Sequence, residues 1–163
     1  MDHLWTPWRS EYIHAANQSE LGPCIFCRAI ERPDDENFVL FRGEHNFAML
    51  NLYPYSTGHL MVAPYAHVSR LNESPDEVTA EMMCLARRAE LVLEEVYKPH
   101  GLNMGLNLGE AAGAGIAGHI HLHVLPRWIG DANFMSVIGN TRIMPEAIET
   151  TYKKVRDAFR QPT

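Results

Sequence analysis

GHIHLHVLPR, residues 118–127, sets His119, His121 and His123 at every second position between a glycine and a proline. On a strand, side chains two residues apart point to the same face, so the three imidazoles would share one face while Ile120, Leu122 and Val124 share the other. On a helix each two-residue step turns about 200°, and His121 would oppose its neighbours. The polar/apolar alternation and the flanking glycine and proline favour the strand. One face is then a core face, and the other is an imidazole row beside a glycine-rich loop, GEAAGAGIAG at 109–118.

The surrounding segments supply the rest of a sheet. NFVLF (37–41) and FAMLNL (47–52) flank Arg42-Gly43-Glu44-His45-Asn46, a hairpin pattern with a glycine in its loop. HLMVAP (59–64) reads as a strand stopped by Pro64, and GLNMGLNL (101–108) as another. Between them, Ser74-Pro75-Asp76-Glu77 opens a helix with a serine N-cap, proline at the first helical position and a glutamate to complete a capping box. The helix is expected to run to about Lys98, with Val78, Met82, Leu85, Ala86, Ala89, Val92, Leu93 and Val96 on one apolar face. Pro145 opens a C-terminal helix to about Arg160. The pattern predicts an α+β domain: an antiparallel five-stranded sheet with one long helix and a C-terminal helix.

A chain of 163 residues fits one domain with one hydrophobic core. We divide it into an irregular N-terminal arm (about 1–36), a core (about 37–128) and a C-terminal extension with a helix (about 129–163). The formal charge is −6, and no Lys/Arg block is present. Nucleic-acid binding needs many phosphate neutralisations, so no such partner is expected, whereas a compact anionic ligand held by amides and histidines remains open. MDHLWTPWRSEY lacks a basic stretch leading into an apolar run, and no apolar segment has membrane-spanning length, so a cytoplasmic protein without a membrane partner is expected.

Neutral imidazole is a base, a metal ligand and a nucleophile near pH 7, and a row of three allows one ring to attack while another orients or protonates. A three-histidine metal site is the competing reading. The four glycines of the loop let its backbone turn several N–H groups toward one anion, which suits phosphate. It is neither a Walker A loop nor a strand-GxGxxG-helix element. Cys24-x-x-Cys27 has three readings: a redox pair, two unlinked thiols in a packed arm, or half of a zinc site that needs two more ligands. Cys84 falls inside the helical pattern as a small core residue.

His119-Ile120-His121-Leu122-His123-Val124-Leu125 resembles the His-x-His-x-His-apolar-apolar motif of the histidine triad (HIT) superfamily of nucleotide hydrolases and nucleotidyl transferases. Asn51 and His59 in NLYPYSTGHLMVAP, and the order hairpin, long helix, strand, glycine loop, triad strand, extend the likeness over roughly residues 24–128. LWTPWR, LNLYPY and PRWIGDANF further resemble a bacterial zinc-bearing branch close to diadenosine tetraphosphate (Ap4A) phosphorylases. The resemblance implies a HIT-like fold and cleavage of adenine dinucleoside polyphosphates (Ap4A or Ap3A type) at the α-phosphate through a nucleotidyl-histidine. Phosphorolysis by inorganic phosphate, a nucleoside phosphoramidase of the same fold and a non-catalytic nucleotide-binding module are the alternatives.

By the same resemblance, His121 is the nucleophile and His123 contacts phosphate or the leaving group. Asn51, His59, Asn107, Gly113, Ala114 and Gly115 form the nucleotide-binding set, and the apolar residues near 40 and 48–52 wall the base pocket. Many relatives carry a Gln- or Ser-bearing loop one residue shorter, so here backbone contacts must carry more of the phosphate binding. Zinc-bearing HIT proteins imply Cys24, Cys27, His67 and His119 as ligands of a structural Zn²⁺ that pins the arm to the sheet. HIT proteins are usually dimers, which implies a homodimer. His3, His14, His45 and His100 read as surface residues, Trp5, Trp8 and Trp128 as core or interface aromatics, and Arg87-Arg88 as a solvated helix face.

Overall fold

The computed structural model describes residues 24–131 and 145–161. Expectations that fall on 1–23, including Trp5, Trp8, His3 and His14, lie outside the described residues.

Five antiparallel strands form one sheet: β1 (Val39–Arg42), β2 (Asn46–Leu50), β3 (Leu60–Pro64), β4 (Gly101–Leu106) and β5 (Leu122–Arg127), in the order β1-β2-β3-β5-β4. Among the described residues three helices accompany them: α1 (Ile25–Glu31), α2 (Asp76–Tyr97) and α3 (Ile148–Phe159). Every residue of β2 and β3 is buried, so the sheet centre is covered on both faces.

The first face packs against α2 and α3. Met82, Leu85, Ala86, Ala89, Val92 and Leu93 of α2 meet Ala48, Leu50, Leu60, Val62, Leu122 and Val124 of the sheet, with Val155 and Phe159 of α3 closing the layer. Seven of the eight apolar α2 positions read from the sequence are buried. The register of β1 shifts between Val39 and Phe41, which turns both Leu40 and Phe41 toward this layer. Leu40, Ala48 and Leu50 are therefore core residues under α2, so of the two stretches expected to wall the base pocket Val39 and Met49 face the other side of the sheet.

The second face carries Val39, Phe47, Met49, Met61 and Ala63, against which Phe26 and Ala29 of α1 pack. This helix corrects the expected irregular arm. Cys24 stands at its N-cap position, so the cysteine pair lies on its first turns. Arg42 ties α1 to the sheet, donating to the Ala29 carbonyl at 2.9 Å and to Asp34 at 2.8 Å.

Other differences have local causes. Pro75, not Ser74, takes the N-cap position of α2, where no side chain caps, and the Ser74 hydroxyl is buried without a partner among the described residues. Side-chain capping instead occurs at the preceding short 3-10 turn, where the Glu73 carboxylate accepts from the Ser69 and Arg70 amides. The C-terminal helix starts at Ile148, three residues after Pro145. Cys84 is exposed. Arg88 is not solvated: its guanidinium lies 4.4 Å from the Phe41 ring centroid and donates to the carbonyl of Phe159 at the end of α3. His100 accepts from the Ile129 amide at 3.0 Å, and Trp128 meets Tyr97 edge-on. No helix among the described residues is long and apolar enough to cross a membrane.

Candidate functional site

The histidine segment enters the sheet later than the alternation predicts, because the neighbouring strand ends in a proline. Leu60 pairs with Val124 and Val62 with Leu122, so the next rung would need an amide from Pro64, which has none. The Ile120 amide turns instead to the Val68 carbonyl at 2.7 Å. His119 and His121 thus precede β5, while His123 lies within it, opposite Met61 on β3 and Gly105 on β4. The imidazole row is not an exposed polar face: His119 is 0% and His121 4% accessible.

Hydrogen bonds to atoms of fixed character assign the tautomers. His121 Nδ1 lies 2.8 Å from the His119 carbonyl, which only accepts, so Nδ1 carries the proton and Nε2 keeps a lone pair. His59 Nδ1 accepts from the Tyr55 amide at 3.1 Å and from Asn51 Nδ2 at 3.3 Å, leaving the His59 proton on Nε2. That proton is donated to His123 Nδ1 at 3.0 Å, so His123 in turn presents Nε2–H. Burial, then the charge of a neighbouring His121, hold His123 down to about 4. Burial also lowers His121, against the bond to the His119 carbonyl. Near pH 7 both rings are neutral: His121 offers a basic nitrogen, and His123 offers an N–H.

His119 faces a different set of atoms. Its Nε2 lies 2.9 Å from the Pro64 carbonyl, so Nε2 holds the proton and Nδ1 a lone pair. That Nδ1 is 3.5 Å from Cys24 Sγ, 3.8 Å from Cys27 Sγ and 3.3 Å from His67 Nδ1, and Cys27 Sγ is 3.2 Å from His67 Nδ1. Four ligating atoms lie within 4.8 Å of one another. Zn–S of about 2.3 Å and Zn–N of about 2.0–2.1 Å put tetrahedral ligand atoms about 3.3–3.8 Å apart, close to the four distances just given. Two thiols and two imidazoles also suit zinc by softness. Burial and the adjoining Cys24 push the Cys27 thiol up, a direction that a bound divalent cation reverses.

Of the expected nucleotide-binding residues, Asn51 is half-buried at the end of β2 and its amide is engaged at both ends: Oδ1 accepts from Tyr53 N at 2.9 Å while Nδ2 meets His59. His59 is 1% accessible and stands behind His123. Leu106 pairs with Leu122, and Asn107 and His121 are the residues that adjoin this last pair of the β4–β5 ladder. In the loop, the Gly113 and Ala114 amides are spent on the carbonyls of Glu110 and Gly109, while the Gly115 amide makes no backbone hydrogen bond among the described residues. Ile116 anchors the loop to the second face of the sheet, the one that α1 covers.

Two residues were missed in the sequence reading. Phe26 places its ring 5.0 Å from that of His119 and 4.8 Å from that of His121. Its position between the two cysteines was the available signal. Gly105 lies opposite His123, and a Cβ added there would meet nothing within 4 Å, so the row borders open space. A glycine inside a strand pattern leaves room for a ligand to approach the backbone closely.

Comparisons with known proteins agree with this geometry. A family model described as HIT domain matches residues 32–128. A Mycobacterium tuberculosis protein named AP-4-A phosphorylase is 41% identical across 99% of this chain and 87% of its own length. A zinc-bound histidine triad family protein from Mycobacterium smegmatis is 29% identical, with a TM-score of 0.67 over 83% of this chain and 92% of that one. A histidine triad nucleotide-binding protein from Sulfolobus tokodaii is 28% identical, with a TM-score of 0.68 over 83% and 91% of the two chains.

Proposed function

The chain belongs to the HIT domain family, and from that premise we propose that it is an enzyme transferring the nucleotidyl group of an adenine dinucleoside polyphosphate. The bare Nε2 of His121, set by the Nδ1–H bond to the His119 carbonyl, is the observation that carries this reading. Nε2 attacks the α-phosphorus, an N–P bond forms, and the bridging P–O bond breaks with its electrons leaving on the departing nucleotide. The His123 N–H, held in place by His59, hydrogen-bonds the leaving oxygen as its charge grows. An incoming oxygen nucleophile then displaces His121 and restores the ring.

Inorganic phosphate is the acceptor that the name of the 41% identical relative supports, and water is the alternative. The nucleotide would contact Asn107, the Gly115 amide and the open space beside Gly105, with Gly113 and Ala114 joining once the loop exchanges its internal bonds. A ribose contact by Asn51 would likewise replace its bond to Tyr53. Cys24, Cys27, His67 and His119 would hold a structural Zn²⁺, which supplies cross-linking of α1 to the sheet. By the same reasoning the chain works as a single domain over 1–163, in the cytoplasm and as a homodimer.

Incubation with Ap4A and phosphate is expected to yield ADP and ATP, and without phosphate AMP and ATP at a lower rate. His121→Ala should bind AMP yet form no product. Absence of turnover with Ap4A, Ap3A and an adenosine phosphoramidate would refute the enzyme.

A further inference from the structure

The metal cluster and the reacting histidine meet at two places that a purely structural centre would not need. His119 offers Nδ1 to the cluster, while its backbone carbonyl takes the Nδ1 proton of His121. Phe26, fully buried between Cys24 and Cys27, packs its ring on both His119 and His121. One pinned helix turn therefore presses on the ring whose tautomer the neighbouring carbonyl selects.

We propose that His119 and Phe26 are positioning residues for His121, and that occupation of the Cys24–Cys27–His67–His119 site selects the Nδ1–H form of that ring. This rests on the zinc reading above but not on His121 being a nucleophile. With the site filled, His119 is held from both ends, by its Nδ1 and by Nε2–H on the Pro64 carbonyl, so its carbonyl stays aimed at His121. With the site empty, His119 Nδ1 loses its tether to the two thiols and keeps only the 3.3 Å contact with the exposed His67 ring. Loss of that tether lets His119 turn and α1 shift, which frees the His121 ring. The Nε2–H tautomer then competes, and its protonated Nε2 cannot attack phosphorus. Coupling of this kind is reciprocal, so whatever stabilises the Nδ1–H form also tightens metal binding.

The test is the imidazole nitrogen spectrum of histidine-labelled protein at pH 8, recorded zinc-loaded and after stripping by chelator, with circular dichroism as a check on folding. The loaded protein should show His121 protonated at Nδ1 and bare at Nε2. Stripping should lower the ratio of Nδ1–H to Nε2–H form at least fivefold, the lower end of linked-site couplings. Phe26→Leu, with zinc content verified, should lower the same ratio with the metal in place, and it decides alone if the stripped protein unfolds. An unchanged Nδ1–H signature in the folded stripped protein, or in loaded Phe26→Leu where stripping unfolds the chain, overturns the proposal. Protein purified without zinc overturns the metal reading instead, and a normal tautomer response without turnover overturns only the enzyme.

Discussion

Glu81 offers a test of the framework that leaves the chemistry untouched. It lies on α2 and its carboxylate fills the turn between β1 and β2, accepting from the amides of Glu44 at 2.6 Å, His45 at 2.8 Å and Asn46 at 2.7 Å, and from Asn46 Nδ2 at 2.9 Å. The Glu44 amide is exposed and turns to water when Glu81 is removed. The His45 and Asn46 amides are part-buried, and leaving each unpaired costs about 1–1.5 kcal/mol, so Glu81→Ala should cost about 2–3 kcal/mol. Glu81→Gln should cost less, because an amide oxygen in the place of Oε2 still accepts from the His45 and Asn46 amides and Asn46 Nδ2, while the new NH₂ faces only the exposed Glu44 N–H. Burial pushes the Glu81 carboxyl up, but the Asn46, Glu44 and His45 donors outweigh it and the net shift is downward from 4.5. Its contribution is therefore present above pH 4.5 and lost as pH falls through the lower native value, so wild type and variant should converge in acid. Urea unfolding at pH 7 and pH 4 measures both, with kcat at pH 7 unchanged within twofold. A loss below 0.5 kcal/mol at pH 7, or one that grows in acid, would refute the reasoning.

Replacing His59 with Ala removes the donor to His123 Nδ1 and should lower kcat about tenfold or more with little change in KM; a rise in KM alone would assign His59 to binding. Since burial holds His123 down to about 4, kcat should stay level from pH 8 to 6 and fall only below, whereas an acid limb centred on 6.5 would mean a solvated ring. Arg88→Ala removes the stacking on Phe41 and the bond to the α3 terminus, and should lower Tm by roughly 3–6 °C, for about 1.5 kcal/mol, in calorimetry.

The parts legible in the sequence were those set by one-dimensional period. Alternation placed the histidines on the side of the sheet opposite Leu122 and Val124, and three- and four-residue steps marked the α2 face. What escaped was set by partners distant in sequence. α1 buries only Phe26 and Ala29, too few apolar positions for a seven-residue helix to announce itself by period. The late start of β5 depends on Pro64, more than 50 residues away, having no amide to give. Arg88 looked solvated because the rings that receive it come from β1 and α3. The tautomers of His119 and His121 hinge on backbone carbonyls, which no residue type encodes.

The strand order also governs how the chain can be made. Among the described residues β4 pairs only with β5, and β5 reaches β3 across a separation of 64 residues. During synthesis, β1 to β3 can pair and α2 can cover them while β4 waits without a neighbour. The segment bearing His121 and His123 is the keystone that closes the sheet. A nascent or truncated chain lacking it has neither a continuous five-stranded sheet nor the imidazoles proposed to react, so closure of the sheet and assembly of the candidate site arrive together.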